Sequence, residues 1–260
     1  MVEYTKEWKA AGYQDGMGSA SFLPAPPKGF NRLYYFTSAK HGIRNVERCR
    51  LKVARFSDTN DPFELMGLML REKTVRQAVK DFKKARNNDT GILCFSTNWS
   101  NPLLWSHYAA KHAGICLGFD VKQEFVRRVC YEENRLMTRL GKKNGAFVID
   151  KDLKERLLLT KSHHWGYEDE RRALINLANA TKEGELYFRP FNEDMRLSEV
   201  ILGPRCDLKP KYVWNVTRAT NPCAIVFRSR LEFGGFSVMR NGRDLPSIAK
   251  ALTERPRDCI

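Results

Sequence analysis

The sequence predicts an α+β fold, a mixed α/β domain in which helices surround a central, strongly twisted, mainly antiparallel sheet. Three observations carry that expectation. Short apolar segments rich in aromatic and β-branched residues recur along the chain, and such runs read as strands. Between them lie stretches whose apolar residues repeat at three- and four-residue spacing, the helix period. Finally, 42% of the 260 residues are hydrophobic and 11% aromatic, enough to fill a core despite 29% charged residues.

The elements follow in chain order. Residues 1–30 read as an extension or arm, because Gly12, Gly16 and Gly18 lead into Leu23-Pro-Ala-Pro-Pro-Lys-Gly29. One globular domain is then expected over 31–260, with regular structure from Arg32. Residues 33–37 form a strand and 39–49 a helix with Ile43 and Val46 inward. Residues 51–56 alternate apolar and basic side chains, which suits a second strand. Asp58-Thr-Asn-Asp-Pro62 is a dense turn signal. Residues 64–86 carry helical spacing through Leu65, Leu68, Met69, Val75, Val79 and Phe82, and Asn87-Asn-Asp-Thr-Gly91 breaks it.

A buried strand is expected at 92–96. Asn101 and Pro102 pair an N-cap with a first-turn proline, opening a helix over 103–111 that Gly114 ends. An apolar strand follows at 115–119. Asp150 caps a helix running to about residue 161, with Leu153, Leu157 and Leu158 inside. Strands at 197–202 and 224–228 complete the pattern.

The charge balance asks for a partner. Forty-five Lys and Arg against 30 Asp and Glu give +15, which draws a phosphate-bearing ligand, either a dinucleotide or nucleic acid. No apolar stretch approaches the ~20 residues of a membrane span, so no membrane partner is expected. The opening MVEYTKEWKA lacks the apolar run of a secretory signal. Seven cysteines, an odd number at irregular spacing without a C-x-x-C pair, argue against a disulfide scaffold or zinc site. A cytoplasmic location, mostly reduced thiols and no metal are the expectation.

Four constellations hold the candidate chemistry. In the helix of 103–112, Trp105, Tyr108 and His112 share one face, an aromatic wall able to stack a flat ring; His107 lies on another face. The plain alternative is a core helix with satisfied polar tips. Asn60-Asp-Pro-Phe-Glu64 is a turn and helix start, or a place where Asp61 and Glu64 orient a ligand. In Trp165-Gly-Tyr-Glu-Asp-Glu-Arg-Arg172, Glu168 and Glu170 would share a face on a strand, as acid/base work needs, or would simply pair with Arg171 or a distant arginine. In Leu197-Ser-Glu-Val-Ile-Leu-Gly203, Glu199 opens an apolar strand and would project into a cleft.

Taken together, Leu33-Tyr-Tyr-Phe36, Asn60-Asp-Pro-Phe-Glu64, Cys94-Phe-Ser96 with Leu104-Trp-Ser-His-Tyr-Ala109 and His112-Ala-Gly114, and the segment from Trp165 to Arg171 resemble the bacterial domain of unknown function 2971 family. The resemblance spans residues 32–238. In that family the last block usually reads E-W-R; here it is Glu170-Arg-Arg172. More distantly, the order of elements looks like the ADP-ribosyltransferase superfamily, which implies a split sheet and NAD as substrate. The matching positions are Tyr35 to Thr37, Phe95-Ser-Thr97 and Glu199-Val-Ile-Leu202. A histidine or arginine is usual in the first motif, where Tyr34 or Tyr35 stands here.

That likeness implies Glu199 as first catalytic carboxylate and Glu170 as second, with His112 or His107 contacting ribose or adenine. Tyr34, Tyr35, Thr37, Ser96, Trp105, His107 and Tyr108 would hold NAD, and Asn60, Asp61, Glu64, Trp165, Glu168 and Arg171 complete the cleft candidates. The competing expectations are a nucleic-acid-binding module or nuclease that does not use NAD, and a non-catalytic structural or interaction protein.

Overall fold

The computed structural model describes residue 23 and residues 25–137, 141–143 and 146–242. Most of the expected N-terminal arm therefore lies outside the described residues. The elements run β1 (Phe30–Thr37), α1 (Ala39–Glu47), β2 (Arg50–Arg55), α2 (Lys73–Asp89), β3 (Thr90–Ser96), α3 (Pro102–Tyr108), β4 (Ile115–Lys122), β5 (Arg127–Arg128), β6 (Cys130–Glu132), β7 (Gly141–Lys143), β8 (Ala146–Val148) and α4 (Lys151–Leu158). They continue with β9 (Thr160–Ser162), β10 (Glu170–Asn176), β11 (Thr181–Glu183), β12 (Leu186–Pro190), β13 (Met195–Leu202), α5 (Pro210–Thr220), β14 (Ile225–Leu231) and β15 (Val238–Arg240).

Eleven strands join in one mixed, mostly antiparallel sheet, ordered β11-β12-β2-β3-β1-β4-β13-β14-β15, with β10 on β3 and β5 on β10. The β13–β14 pair is parallel. The α+β expectation holds, and the caps do what their chemistry requires. Asn101 accepts from the Leu103 N–H at 2.9 Å, and Asp150 from the Leu153 N–H at 2.8 Å.

One sheet face buries Leu33, Phe95, Leu117, Phe119 and Val200 under α1 and α5, through Ile43, Val46 and Val213. The other carries an aromatic cluster around Trp99, Trp105 and Phe227, and an aliphatic cluster joining Ile92 to α2 and α4. Among the described residues no helix is long and apolar enough to cross a membrane.

The sheet forks at β3. One edge pairs with β10 from Thr90 to Ser96. The opposite edge is shared: β2 takes Gly91 and Ile92, and β1 takes Ser96. Among the described residues no ladder pairing to β1 or β2 spans positions 93–95, so the sheet opens there.

Several boundaries differ from expectation. The helix expected over 64–86 begins only at Lys73. Leu65 is left-handed at φ 62°, and residues 64–72 run irregularly while still burying Leu65 and Leu68. The helix expected over 103–111 stops at Tyr108, because Ala110, Lys111 and His112 are all left-handed, at φ 47°, 55° and 73°. Gly114 and Gly203 permit that turn, for a Cβ at either would lie 2.2 Å from a carbonyl oxygen, of Thr37 and His112 respectively. The helix after Asp150 ends at Leu158, and Thr160–Ser162 pairs with β6 instead. Cys49, Cys94, Cys116, Cys130 and Cys206 are free thiols, whereas Cys223 is disulfide-bonded.

Candidate functional site

A cavity of about 360 Å³ occupies the fork. Its walls come from the gap itself: Tyr34, Tyr35 and Phe36 from β1, Lys52 and Ala54 from β2, and Cys94 to Ser96 from β3. The β3–β10 register places Arg172 opposite Cys94 and Glu170 opposite Ser96, so these two charged side chains share the cavity face. The loop before α2 supplies Asn60 and Glu64, and α3 supplies His107 and Tyr108.

These residues form a buried ionic network. Arg172 is wholly buried and grips two carboxylates, with Nη1 2.8 Å from Glu64 Oε1 and Nε 2.8 Å from Glu170 Oε1. Its Nη1 also donates to the Leu158 carbonyl at 2.7 Å. Lys161 Nζ bridges Glu168 Oε2 at 2.6 Å and Glu170 Oε2 at 3.0 Å. The Tyr108 hydroxyl donates to Glu168 Oε1 and accepts from Asn60 Nδ2 at 3.1 Å. The Tyr167 hydroxyl pairs with His107 Nδ1 at 2.7 Å on the rim.

Glu168 and Glu170 were expected to share a face if both stood on a strand. They converge by another route. Glu168 ends a 3-10 turn, His163–Glu168, and Asp169 at φ 39° turns the chain into β10. Lys161 then draws both carboxylates inward.

The network pushes the two carboxyls apart. Burial drives Glu170 up, but the Arg172 guanidinium and the Lys161 ammonium outweigh it and hold the carboxyl at about 2. Burial also drives Glu168 up, and there Lys161 and Tyr108 compensate only in part, so it stays above the ordinary carboxylate range. Burial lowers Lys161, yet Glu170 and Glu168 together raise it above an ordinary lysine. Burial pushes the Tyr35 hydroxyl up to about 12 and the Cys94 thiol well above its usual range. A carboxyl held below its ordinary range thus stands beside one held above it, an arrangement that separates acid/base roles.

Of the residues singled out in the sequence, Tyr34, Tyr35, Asn60, Glu64, Ser96, His107, Tyr108, Glu168 and Glu170 line this cavity. The others lie elsewhere. Glu199 is fully buried on the same sheet face, and the register Glu199–Gly118–Tyr34–Ser96–Glu170 puts it four strand spacings from Glu170, about 19 Å. Trp105 is fully buried with its indole N–H on the Trp99 carbonyl at 2.6 Å and its ring edge-on to Phe36. Its surface is spent on the core, leaving none to stack a ligand. His112 sits in the left-handed turn, its imidazole held down by burial and by Arg205.

Thr37 is buried at the end of β1, and Asp61 accepts from the Phe63 N–H at 2.9 Å to shape its turn. Trp165 lies beneath Lys161, 5.3 Å from Nζ to the ring centre. Arg171 points to the opposite face and pairs with Asp169 at 3.0 Å; the arginine that meets Glu170 is Arg172.

Lys161, Arg172, Cys94 and Tyr167 were not singled out by the sequence. Lys161 read as the tail of a helix, and Arg172 as one member of an exposed charge cluster. The available signal was the alternation Glu170–Arg172 on an otherwise apolar strand, 170–176. Comparisons with family models, with curated proteins and with solved structures found no match for the chain.

Proposed function

We propose that this protein is an enzyme that cleaves the N-glycosidic bond of a nucleotide, with NAD as its substrate and Glu168 as the proton-handling group. The observation that carries the reading is Glu168 itself. Its carboxyl stands at a cavity wall between the Tyr108 hydroxyl and Lys161, above the ordinary range, beside a Glu170 held at about 2.

The chemistry follows from the bond. The C1′–N bond of the nicotinamide riboside breaks, its electron pair leaves with nicotinamide, and positive charge develops on the ribose as in glycoside hydrolysis. Four carboxylates, Asp58, Glu64, Glu168 and Glu170, face three cations, Lys52, Lys161 and Arg172, around the cavity, which favours that charge. A water or acceptor hydroxyl then bonds to C1′ and gives its proton to Glu168, whose raised affinity for protons makes it a better base near neutral pH. Tyr34, Tyr35 and Tyr108 supply flat walls for the ring, and Lys52 supplies a cation for phosphate.

One further feature supports this site. The blocks resembling the domain of unknown function 2971 family each send a side chain to this cavity: Tyr34, Glu64, Tyr108 and Glu168. In this reading the carboxylate role belongs to Glu168 rather than Glu199.

Nicotinamide release from NAD, followed by chromatography, tests the proposal. Glu168→Gln is expected to lower turnover at least about a hundredfold while the melting temperature stays within a few degrees. Wild-type protein that neither releases nicotinamide nor gains thermal stability at millimolar NAD would overturn it.

A further inference from the structure

Phe233 and Phe236 are the most exposed large apolar side chains among the described residues, at 92% and 99%. They stand in the loop between β14 and β15, in Glu232-Phe-Gly-Gly-Phe-Ser237. Two naked rings on a protruding tip are costly in water, yet the loop that displays them is built. The Glu232 N–H donates to the Ser237 carbonyl at 3.0 Å and closes it. The Ser237 hydroxyl donates to the Glu232 carboxylate and folds that negative charge inward. Gly234 has open space around the position of a Cβ, whereas a Cβ at Gly235 would meet the Glu232 carboxylate at 2.5 Å, so that carboxylate lies against the backbone between the rings. The Arg230 guanidinium lies over the Phe233 ring, 4.3 Å from its centre.

The tip is also fixed to the cavity rim. Val238 is fully buried, and its N–H donates to the Ser100 carbonyl at 2.8 Å. The neighbouring Asn101 donates through Nδ2 to the Tyr167 carbonyl at 3.0 Å, and the Tyr167 hydroxyl meets His107. A short hydrogen-bonded path therefore joins the tip to the cavity.

We propose that this tip docks single-stranded nucleic acid, with Phe233 and Phe236 stacking bases and Arg230 meeting the backbone. Rings that accept any base, an arginine stacked on one of them and a chain charge of +15 are the elements of such binding. The inference rests on the hairpin alone and goes beyond the glycosidic reading, which it neither needs nor tests.

Fluorescence anisotropy with a labelled oligothymidylate over a salt series tests it. The Phe233→Ala/Phe236→Ala double variant should bind at least about tenfold more weakly, given the worth of a base–aromatic stack. Arg230→Gln should weaken binding less and flatten the salt dependence. Phe233 and Phe236 are exposed and Arg230 is half-buried, and unchanged melting temperatures would show that the variants fold. Wild-type affinity in the folded double variant would overturn the inference. So would a loss of binding to anionic phosphatidylserine vesicles with oligonucleotide binding intact, for the tip would then be a membrane contact.

Discussion

Glu170 and Glu199 occupy the same face of the same sheet, on one cross-strand row, and both are buried. Their surroundings differ. Glu170 meets a guanidinium and an ammonium and borders a cavity. Glu199 sits beside Gly118, Tyr34 and Cys116, next to the aromatic cluster of Trp99, Trp105 and Phe227. Burial, and then the Glu199 carboxylate, push the Tyr34 hydroxyl and the Cys116 thiol up. A buried carboxylate becomes useful where charge partners fix its protonation and a cavity admits a ligand. Glu170 has both, two cations at bonding distance and the cavity, whereas the charged neighbour of Glu199 is Arg32.

The largest effect expected is at the hub of that network. Arg172→Met leaves Glu64 and Glu170 without their guanidinium, and losing one partner of a buried ion pair costs about 3–5 kcal/mol. Urea unfolding measures it; a loss under about 1 kcal/mol would mean that the network is far wetter than its burial implies.

Acid is the next lever. Glu170 is held below its ordinary value, so its contribution is present above the unfolded pKa and lost as pH falls toward about 2. That amounts to about 3 kcal/mol, withdrawn between roughly pH 4.5 and 2. Glu170→Gln should flatten this limb in acid titrations of stability. Glu168 has the opposite sign: its folded value is raised, so its contribution is full below the unfolded pKa and fades as pH rises. Glu168→Gln should therefore remove a gain of stability on mild acidification, and an unchanged profile would place Glu168 in a more ordinary environment.

The smallest effect sharpens the contrast most. Glu199→Gln, if folded, should keep nicotinamide release within about twofold of wild type, because Glu199 stands four strands along the row from Glu170 and is not among the residues lining the cavity. A hundredfold loss there would return the catalytic role to Glu199, at the other end of the cross-strand row.

Much of the fold was legible because its signals are local. Asn101-Pro102 and Asp150 announce helix starts within a single turn, and runs such as 92–96 and 115–119 are strands by composition. The site was half legible. Asn60, Glu64, Tyr108, Glu168 and Glu170 stand out as polar groups in short blocks. Strand β10 was hidden by its charged start, Glu170-Arg-Arg172, which reads as solvated surface until Arg172 is seen at zero exposure. The helical period of 64–72 misled, since Leu65 and Leu68 reach the core from an irregular segment.

By itself, then, the sequence determined the α+β class, the placing of several helix starts and core strands, and the blocks in which polar chemistry concentrates. These depend on backbone capping and side-chain periodicity within a few residues. Only the tertiary structure decided which carboxylates face one another. Arg172 finds Glu64 across 108 positions of chain, and Lys161 joins Glu168 to Glu170 beside a gap that exists only because β1 and β2 divide one edge of β3. Ion pairing inside a protein is set by distance in space and by the exclusion of water, and neither is a property of neighbouring residues in a sequence.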